Sequence, residues 1–306
     1  MSGSFSVAAL SIFAPAKLNL FLAVTGRRAD GFHDLVSVAA QLSFGDTLRI
    51  EPAEDFSLAC DDPAVPTDET NLVLKAARTF ASASGWKGGA KFTLAKRIPM
   101  GAGLGGGSSD AAAALRGLNQ LAGPNHSLSP AALAAIAAQI GSDCPLFLHD
   151  GPVVMRGRGD RIAPLSADAV RRLSVRRVLV FKPAFGIATP WAYARLAATA
   201  PASYLAAAEA EARLTAWLGE PAAPAEKLLF NTMEPPAFAK FLALPVLLEQ
   251  LRATFGLQPR MSGSGSACFA LLREDSEAGP VVAAIRAAWG ESAFVAEARL
   301  ASAAKT

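Results

Sequence analysis

The chain has 306 residues, 52% of them hydrophobic and 18% charged, which supplies enough apolar material for a sizeable core and excludes a disordered chain. At roughly 150 residues per domain, this length predicts one large or two ordinary domains. The formal net charge of +3 contains no long run of one sign, whereas a nucleic-acid footprint needs Lys and Arg clustered on one face. The nearest cluster, Arg171, Arg172, Arg176 and Arg177, is interpreted as a solvated helix end or loop before a strand. Nucleic-acid binding is therefore unsupported, although composition alone does not exclude it.

Cysteine and histidine are sparse. The three cysteines, Cys60, Cys144 and Cys268, form an odd set without CxxC spacing, which argues against a disulfide framework and a zinc knuckle. Each lies beside apolar or small residues and is interpreted as a small buried hydrophobe. The three histidines show no metal-ligand spacing. No apolar run is long enough to span a membrane, and no basic region precedes the apolar N-terminal stretch, so we expect no signal peptide and a cytoplasmic protein.

Strand and helix patterns mix along the chain. In the first half, the predicted strands are 35–42, 47–51, 90–96 and 153–155, the last leading into a hairpin turn at 157–159. The predicted helices there are 71–82, 109–121 and 130–140, with Ser129 as N-cap and Pro130 at the first helical position. After a composition shift near residue 165, we predict strands 178–181, 268–272 and 293–298 and helices 190–198, 203–218, 245–255 and 281–289. Because regular βαβ alternation is missing, the predicted fold class is α+β rather than a doubly wound sheet.

The strongest local signal is the segment Pro99–Asp110 (PMGAGLGGGSSD), which leads directly into an Ala-rich helix. Its glycines let the backbone adopt positive φ and approach a ligand closely. The helix start then presents unpaired N–H groups and the positive end of the helix dipole, a geometry that binds phosphate. No Gly-Lys-Ser/Thr closes a Walker A motif, and the GxGxxG spacing fits a dinucleotide fingerprint poorly. The segment predicts a phosphate-binding loop, and the alternative is a flexible loop before a capped helix.

Three further segments carry candidate functional groups. Asp143 follows a predicted helix end, where an aspartate is usually a cap or turn former, but beside a cation it becomes a candidate general base. Lys17 stands alone in an apolar, strand-like stretch, where burial without an anion would be costly. The alternative for Lys17 is a strand-edge lysine that reaches solvent. The Gly/Ser turn Arg260–Ser266 precedes a strand and either lines a ligand cleft or is simply a loop.

Together these segments resemble the GHMP small-molecule kinase superfamily. The segment 14–20 (APAKLNL) resembles its first motif, 99–110 its phosphate loop and 261–266 its third motif. The resemblance covers nearly the whole chain. It implies a two-domain α+β fold, with an N-terminal ATP-binding domain of the ribosomal protein S5 domain 2 type at 1–165 and a C-terminal substrate domain at 166–306. The active site is expected between them.

The resemblance also implies transfer of the ATP γ-phosphate, with Mg²⁺ carried by ATP. Asp143 would accept the proton of the acceptor hydroxyl, Lys17 close to it would stabilise negative charge, and Asn19 would hold the substrate. Ser108 or Ser109 would approach Mg²⁺. Lys96 would contact the nucleotide, with an exposed strand lysine as the alternative. The nucleotide-binding residues implied in full are Asn71, Leu72, Lys96, Pro99, Met100, Gly101, Ala102, Gly103, Leu104, Gly105, Gly106, Gly107, Ser108 and Ser109.

The segment 27–34 (RRADGFHD) points to the branch of the family that phosphorylates 4-diphosphocytidyl-2-C-methyl-D-erythritol on the non-mevalonate route to isoprenoid precursors. In that branch an aromatic residue stacks on cytosine and a histidine bonds its polar edge. The corresponding residues here are Phe32, where tyrosine is commoner, and His33. The second stacking aromatic would come from the segment TPWAY (189–193). Its spacing favours Tyr193 over Trp191. Thr189 is expected to lie beside the substrate.

Two other hypotheses stay open. The chain could be another GHMP kinase, for homoserine, mevalonate or a sugar, or a sensor that binds nucleotide without turnover. The segment 30–34 argues against the first, and the presence of both Lys17 and Asp143 beside an intact phosphate loop argues against the second. The expected partner is a small-molecule substrate, with no nucleic acid and no membrane, in a monomer or weak homodimer.

Overall fold

The computed structural model describes residues 9–302 of the chain. Residues 1–8, which begin the stretch where no signal peptide is predicted, lie outside the described residues. The chain forms two compact units: the first contains residues up to Ala16 together with 45–98 and 105–149, and the second contains 17–44, 99–104 and the chain from Asp150 onward. Segments of the two units thus alternate along the chain. The division into functional domains at 1–165 and 166–306 remains a prediction.

Two long strands, β1 (Leu10–Arg27) and β2 (His33–Ala53), contribute residues to both units. The prediction of separate strands at 35–42 and 47–51 is wrong, because β2 continues without a break through Gly45. A side-chain Cβ at Gly45 would lie 2.3 Å from the carbonyl oxygen of Ala14. The glycine therefore permits a close backbone approach and does not mark a turn.

In the first unit, helices pack against a sheet in which β2 pairs with an antiparallel neighbour. Residues 47–53 of β2 pair with β4, which also runs parallel to β3. Its buried core includes Leu48, Phe80, Phe92 and Leu115. Ser129 caps the start of α3 as predicted, since its Oγ accepts from the N–H of Ala132. Asn71, predicted as the first residue of a helix, instead caps α1, since its Oδ1 accepts from the N–H of Val73. The other elements of this unit are β3 (Ser57–Cys60), α1 (Leu72–Ser84), β4 (Gly89–Ala95), α2 (Gly106–Leu121), α3 (Pro130–Ile140) and a 3-10 helix at Cys144–Leu148.

The second unit contains a four-stranded antiparallel sheet of order β11-β7-β10-β9. Residues 35–39 of β2 pair with β5, and β1 pairs in parallel with β8. The predicted hairpin is confirmed by the antiparallel pairing of β5 with β6. The elements are β5 (Val153–Gly157), β6 (Arg161–Pro164), α4 (Ala167–Leu173), β7 (Arg177–Lys182), α5 (Thr189–Ala198), α6 (Ala207–Gly219), a 3-10 helix (Ala225–Leu228), β8 (Phe230–Asn231), α7 (Glu234–Phe238), α8 (Ala243–Phe255), β9 (Arg260–Met261), β10 (Cys268–Leu272), α9 (Gly279–Trp289) and β11 (Phe294–Arg299).

Tertiary contacts move one predicted helix start in this unit. The helix predicted from residue 203 begins at Ala207. The backbone N–H of Leu205 donates to the carbonyl oxygen of Val24 on β1, so this residue serves a long-range contact and not the first turn of a helix. The short elements α4, α7, β8 and β9 were not predicted, because segments of two to seven residues carry little periodicity.

The four arginines near residue 175 make contacts within the chain. Arg171 pairs with Asp168, Arg176 with Glu226 and Arg177 with Glu297, while Arg172 lies over the Trp217 ring at 3.8 Å. The cluster spans the end of α4 and the start of β7, as predicted. Cys144 and Cys268 are buried and Cys60 is half-buried, all as free thiols. Within residues 9–302, no helix combines the length and apolar character needed to cross a membrane.

Candidate active site

Lys17 lies in β1 with its side chain 4% exposed, so the interpretation of a solvent-reaching lysine is wrong. Its Nζ donates to Asn19 Oδ1 at 2.5 Å, and the alternation of a strand places these two residues on one face. Asn19 Nδ2 donates to Ser37 Oγ, and the Asn19 backbone N–H donates to Ser262 Oγ. The Lys17 N–H donates to the carbonyl oxygen of Leu104. The backbone of Lys17 is thus joined to the segment 99–110, called the glycine loop below, and its ammonium is held by Asn19.

The Gly/Ser turn at 262–266 lies against the first half of the glycine loop. The backbone N–H of Ala267 donates to the carbonyl oxygen of Ala102 at 3.0 Å. A Cβ at Gly103 would lie 2.4 Å from the carbonyl oxygen of Ser262, so only glycine fits there. Asn231 Nδ2 donates to the carbonyl oxygens of Met261 and Gly263 and fixes the turn from below. The turn therefore supports the loop that carries Lys17's partner Leu104. Sequence reasoning missed Asn231, since no local pattern marks it.

The second half of the glycine loop becomes the first turn of α2. The helix begins at Gly106 and not at the predicted Ser109, after Gly105 in the left-handed conformation (φ 74°). No side chain caps this start, so the first-turn N–H groups remain available to an anion. Ser108 is half-buried, whereas Ser109 is buried and its hydroxyl has no hydrogen-bond partner among the described residues. Leu72 lies beside this turn, 3.7 Å from where a Cβ on Gly107 would be.

Lys96 is buried under the same first turn. A Cβ at Gly106 would lie 2.9 Å from its Nζ. Nζ donates to Asp46 Oδ2 at 2.5 Å and to Asp110 Oδ2 at 2.8 Å, and the Asp46 carboxylate also accepts from the backbone N–H groups of Arg97 and Ile98. Burial acts to lower the pKa of Lys96, but the two carboxylates raise it above the ordinary lysine value. The exposed-lysine alternative is therefore wrong, and sequence reasoning missed both aspartates.

Asp110 carries a testable pH dependence. Burial raises its pKa to about 7, against the pull of Lys96. The folded protein therefore holds a proton on this carboxyl at pH values where the unfolded chain has released it, so this group makes stability fall as pH rises from about 4 to about 7. In Asp110→Asn, which keeps an acceptor for Lys96, that loss should be removed. We expect its stability relative to wild type to increase with pH across this window in urea unfolding.

The exposed carboxyl of Asp55 provides the control for this measurement. The profile of Asp55→Asn should follow that of wild type. A stability difference between Asp110→Asn and wild type that stays constant from pH 4 to pH 8 would contradict the assignment of the raised pKa to Asp110.

Asp143 precedes the 3-10 helix and is half-buried. Its side chain makes no capping hydrogen bond to that helix, so it is not a cap, but the residue does lie in a turn, as the alternative interpretation expected. The next residue, Cys144, packs near the start of α2: a Cβ on Gly141 would lie 3.2 Å from Cys144 Sγ and 3.7 Å from Ser108 Oγ. Burial raises the pKa of the Cys144 thiol to about 11, which suits a packing residue. Asp143 is thus attached to a segment that packs beside the first turn of α2.

The aromatic group around His33 lies in the second unit. The ring of His33 is 4.9 Å from that of Tyr193 and 5.9 Å from that of Tyr204, measured between centroids. Burial lowers the pKa of His33, with a smaller contribution from Arg27, and the imidazole Nε2 has no hydrogen-bond partner among residues 9–302. A neutral imidazole with one unused nitrogen can read a polar edge.

Phe32 precedes this group at the tip of the β1–β2 turn. It is 48% exposed, and the Arg158 guanidinium lies 5.2 Å from its ring centroid. Asp30 accepts from the Phe32 backbone N–H and pairs with Arg28, which fixes the turn. Phe32 therefore presents a large aromatic face to solvent, and sequence reasoning missed its contact with Arg158.

The structure separates the two aromatic residues of α5. Tyr193 contacts His33, while Trp191 packs edge-on against Phe241, 5.3 Å away. Thr189, at the first position of α5, shares a hydrogen bond of 2.9 Å with Ser264 in the Gly/Ser turn. Tyr193, which the spacing favours as the second stacking aromatic, thus lies beside His33, while its stacking role stays a prediction. Thr189 links α5 to the Gly/Ser turn.

Comparison with known proteins defines the class. Residues 71–151 match the model of the GHMP kinases N terminal domain, and residues 207–291 match that of the GHMP kinases C terminal domain. A homoserine kinase from Cytophaga hutchinsonii has the same fold, with a TM-score of 0.74 at 16% identity over 99% of this chain and 98% of that one. The α+β GHMP kinase fold predicted from the sequence is confirmed.

Nearer relatives narrow the class to one family. A Salinibacter ruber protein named 4-diphosphocytidyl-2-C-methyl-D-erythritol kinase is 40% identical over 269 residues, which are 87% of this chain and 90% of the relative. A solved structure of 4-(cytidine 5'-diphospho)-2C-methyl-D-erythritol kinase is 36% identical with a TM-score of 0.74 and covers 95% of this chain and 99% of that one. The chain belongs to the 4-diphosphocytidyl-2-C-methyl-D-erythritol kinase family.

Proposed function

We propose that this protein transfers the γ-phosphate of ATP to the 2-hydroxyl of 4-diphosphocytidyl-2-C-methyl-D-erythritol and forms the 2-phosphate, in the non-mevalonate pathway of isoprenoid precursor synthesis. Family membership supports the reaction. The observation that carries the choice of acceptor is the contact of His33 with Tyr193 at 4.9 Å beside the exposed ring of Phe32. Aromatic faces next to an unused imidazole nitrogen suit a cytosine ring, and a homoserine or sugar acceptor has no need of them.

ATP is the phosphoryl donor, and the glycine loop is the group proposed to hold its phosphates. Gly105 in the left-handed conformation and the uncapped first turn of α2 leave several N–H groups to receive phosphate oxygens. Lys96 lies under this turn with two carboxylates as partners, so we propose that it positions the turn. Asn71 and Leu72 at the start of α1 are proposed to line the base.

Asp143, Lys17 and Asn19 are proposed to act on the acceptor hydroxyl. Asp143 accepts its proton as the oxygen attacks phosphorus. The Lys17 ammonium, oriented by Asn19 Oδ1 at 2.5 Å, stabilises negative charge on the transferring group and the attacking oxygen. Phosphoryl transfer needs little covalent help from the protein, so positioning and electrostatics carry most of the rate.

Phe32, His33, Tyr193 and Thr189 are proposed to bind the cytidyl end of the substrate. Phe32 and Tyr193 provide stacking faces, and His33 Nε2 contacts the polar edge of the base. Thr189 connects this group to the Gly/Ser turn through Ser264. Phe32 lacks the hydroxyl of the commoner tyrosine and provides stacking alone.

Mg²⁺ is proposed to arrive with ATP, where it neutralises phosphate charge. Among the described residues, no cluster of three or more His, Cys, Asp or Glu side chains could hold a metal ion. The half-buried hydroxyl of Ser108, in the first turn of α2, is the protein group we assign to it. We further infer a cytoplasmic enzyme, active as a monomer or weak homodimer.

The proposed reaction is tested by incubating the purified protein with ATP, Mg²⁺ and 4-diphosphocytidyl-2-C-methyl-D-erythritol and following ADP release. Homoserine, mevalonate and galactose are assayed in parallel. We expect turnover with the cytidyl substrate alone. Turnover with another acceptor would overturn the assignment of Phe32 and His33, and nucleotide binding without turnover on any acceptor would favour a sensor.

Phe32→Ala should weaken binding of the cytidyl substrate without weakening binding of ATP. Stacking on one base contributes about 1–3 kcal/mol, so we expect KM for this substrate to rise by roughly 5- to 150-fold while KM for ATP stays the same. Steady-state kinetics with each substrate varied in turn measures both values.

Phe13 offers a matched control for this prediction, since it is also 48% exposed. Phe13→Ala should leave both KM values unchanged. Equal losses for the two substrates in Phe32→Ala would refute the stacking role.

A further inference from the structure

A cavity of about 470 Å³ lies within the second unit, and it shares Tyr204 with the aromatic group around His33. The C-terminal end of α5, the segment 199–205, β8 and the start of α7 enclose it. His33, Tyr193 and Phe32 are absent from its lining. Its volume falls within the range of small-molecule sites, about 300–1,000 Å³. The cavity is therefore large enough for a ligand of its own.

Most polar groups that line this cavity already have protein partners. Asn231 donates to the carbonyl oxygens of Met261 and Gly263, and its Oδ1 accepts from the Met233 N–H. Thr232 Oγ1 accepts from the Val24 N–H. The hydroxyls of Thr199 and Ser203 both donate to the carbonyl oxygen of Leu196. Because their polar atoms are already hydrogen-bonded, these residues contribute mainly carbon atoms to the lining, which is mostly apolar.

Two polar groups of the lining lack a partner among residues 9–302. The Tyr204 hydroxyl is buried and makes no hydrogen bond. Leaving such a group unpaired is unfavourable, and a bound acceptor would relieve this cost. Arg195 is exposed at the wall of the cavity and, unlike most arginines of this unit, forms no ion pair with a described residue. Both groups can donate hydrogen bonds, and Arg195 adds a positive charge.

We propose that this cavity is a second ligand site, which binds a small molecule with an apolar body and one anionic group. The apolar body would fill the space between Phe230 and the proline residues of α7, and the anionic group would be bound by Arg195 or the Tyr204 hydroxyl. The Tyr204 ring also contacts His33 edge-on at 5.9 Å. Ligand binding therefore acts on the surroundings of His33 through one side chain.

The proposal is tested by isothermal titration calorimetry of the full chain with octanoate, octyl phosphate and 1-octanol. Octanoate and octyl phosphate distinguish a carboxylate from a phosphate as the preferred head group, and 1-octanol measures the contribution of the charge. We expect at least one anionic probe to bind with a millimolar or tighter dissociation constant. Arg195→Gln should weaken this probe about fivefold, as expected for an exposed ion pair, and Tyr204→Phe by a similar factor.

Two variants that fill the cavity and one arginine variant far from it test whether the probe binds in this cavity. Ala202 and Ala239 line the cavity and are exposed, so Ala202→Trp and Ala239→Trp can fill it without disturbing the core, and both should abolish binding. Arg286→Gln on α9 should bind as wild type does. In the wild type the probe should also shift the His33 ring resonances in NMR spectra, and in Ala239→Trp it should not.

Three results would overturn the proposal. They are the failure of every probe to bind wild type at millimolar concentration, unchanged binding in both filling variants, and binding of 1-octanol as tight as that of the anionic probes. None of these readouts depends on turnover, so they stand apart from the test of the proposed kinase activity.

Discussion

Replacing Asp143 with alanine is expected to reduce kcat by about two to four orders of magnitude, the range over which a general base contributes, while the dissociation constant for ATP remains nearly that of wild type. The structure motivates this split. Asp143 makes no capping hydrogen bond to the helix that follows it, so its removal leaves that element's start intact. The donor's phosphates are assigned to the first turn of α2, which has its own backbone donors.

Single-turnover kinetics with the cytidyl substrate and calorimetric titration with an ATP analogue measure the two quantities. Asp275→Ala, which removes an exposed carboxylate from a loop before α9, serves as control and should retain full activity. If Asp143→Ala keeps more than about a tenth of the wild-type kcat, proton acceptance by this carboxylate contributes less than general-base catalysis requires, and the rate must come from positioning.

Replacing Asp46 with alanine is expected to lower the free energy of unfolding by about 3–5 kcal/mol, the cost of removing one partner of a buried ion pair. The Asp46 side chain is fully buried. Its carboxylate accepts from the Lys96 ammonium and from the backbone N–H groups of Arg97 and Ile98. The variant leaves the two backbone donors without this acceptor and reduces the buried ammonium to one carboxylate, Asp110.

Urea unfolding at neutral pH measures this loss. Asp55→Ala removes an exposed carboxylate from the same unit and should change stability by less than about 0.5 kcal/mol. Asp46→Asn should fall between the two, because it keeps one oxygen acceptor but loses the charge. A loss below about 1 kcal/mol in Asp46→Ala would show that Asp110 alone can hold Lys96 and that the pairing at 2.5 Å contributes little.

Local patterns predicted the parts of the site that depend on local backbone preference. The cluster of glycines in 101–107 predicted a loop with positive φ, and Gly101, Gly103 and Gly105 adopt it. Ser129 caps its helix as predicted. The same patterns divided β2 into two strands, 35–42 and 47–51, although the strand continues through Gly45. A glycine that permits a close approach and a glycine that makes a turn look identical in one sequence.

The partners of the buried lysines could not be read from the sequence. A lone lysine in an apolar stretch is costly to bury without an anion, which predicted a partner for Lys17, with Asp143 as the acid beside it, but not for Lys96. In the structure the Lys17 ammonium donates to Asn19, two residues away. For Lys96 the partners are Asp46 and Asp110, at 50 and 14 residues' separation. The pairing of β2 with β4 and the position of α2 decide these contacts.

The sequence by itself determined the family and the residue types available for chemistry and predicted a phosphate-binding loop, because motifs and spacing report what the backbone can do locally. Only the tertiary structure decided that Tyr193 and not Trp191 contacts His33, and that Asn231 holds the Gly/Ser turn. It also decided that Arg195 and the Tyr204 hydroxyl line a cavity without a partner among residues 9–302. These facts depend on which faces of distant elements meet. Strand register and helix packing fix those meetings, and both are properties of the whole chain.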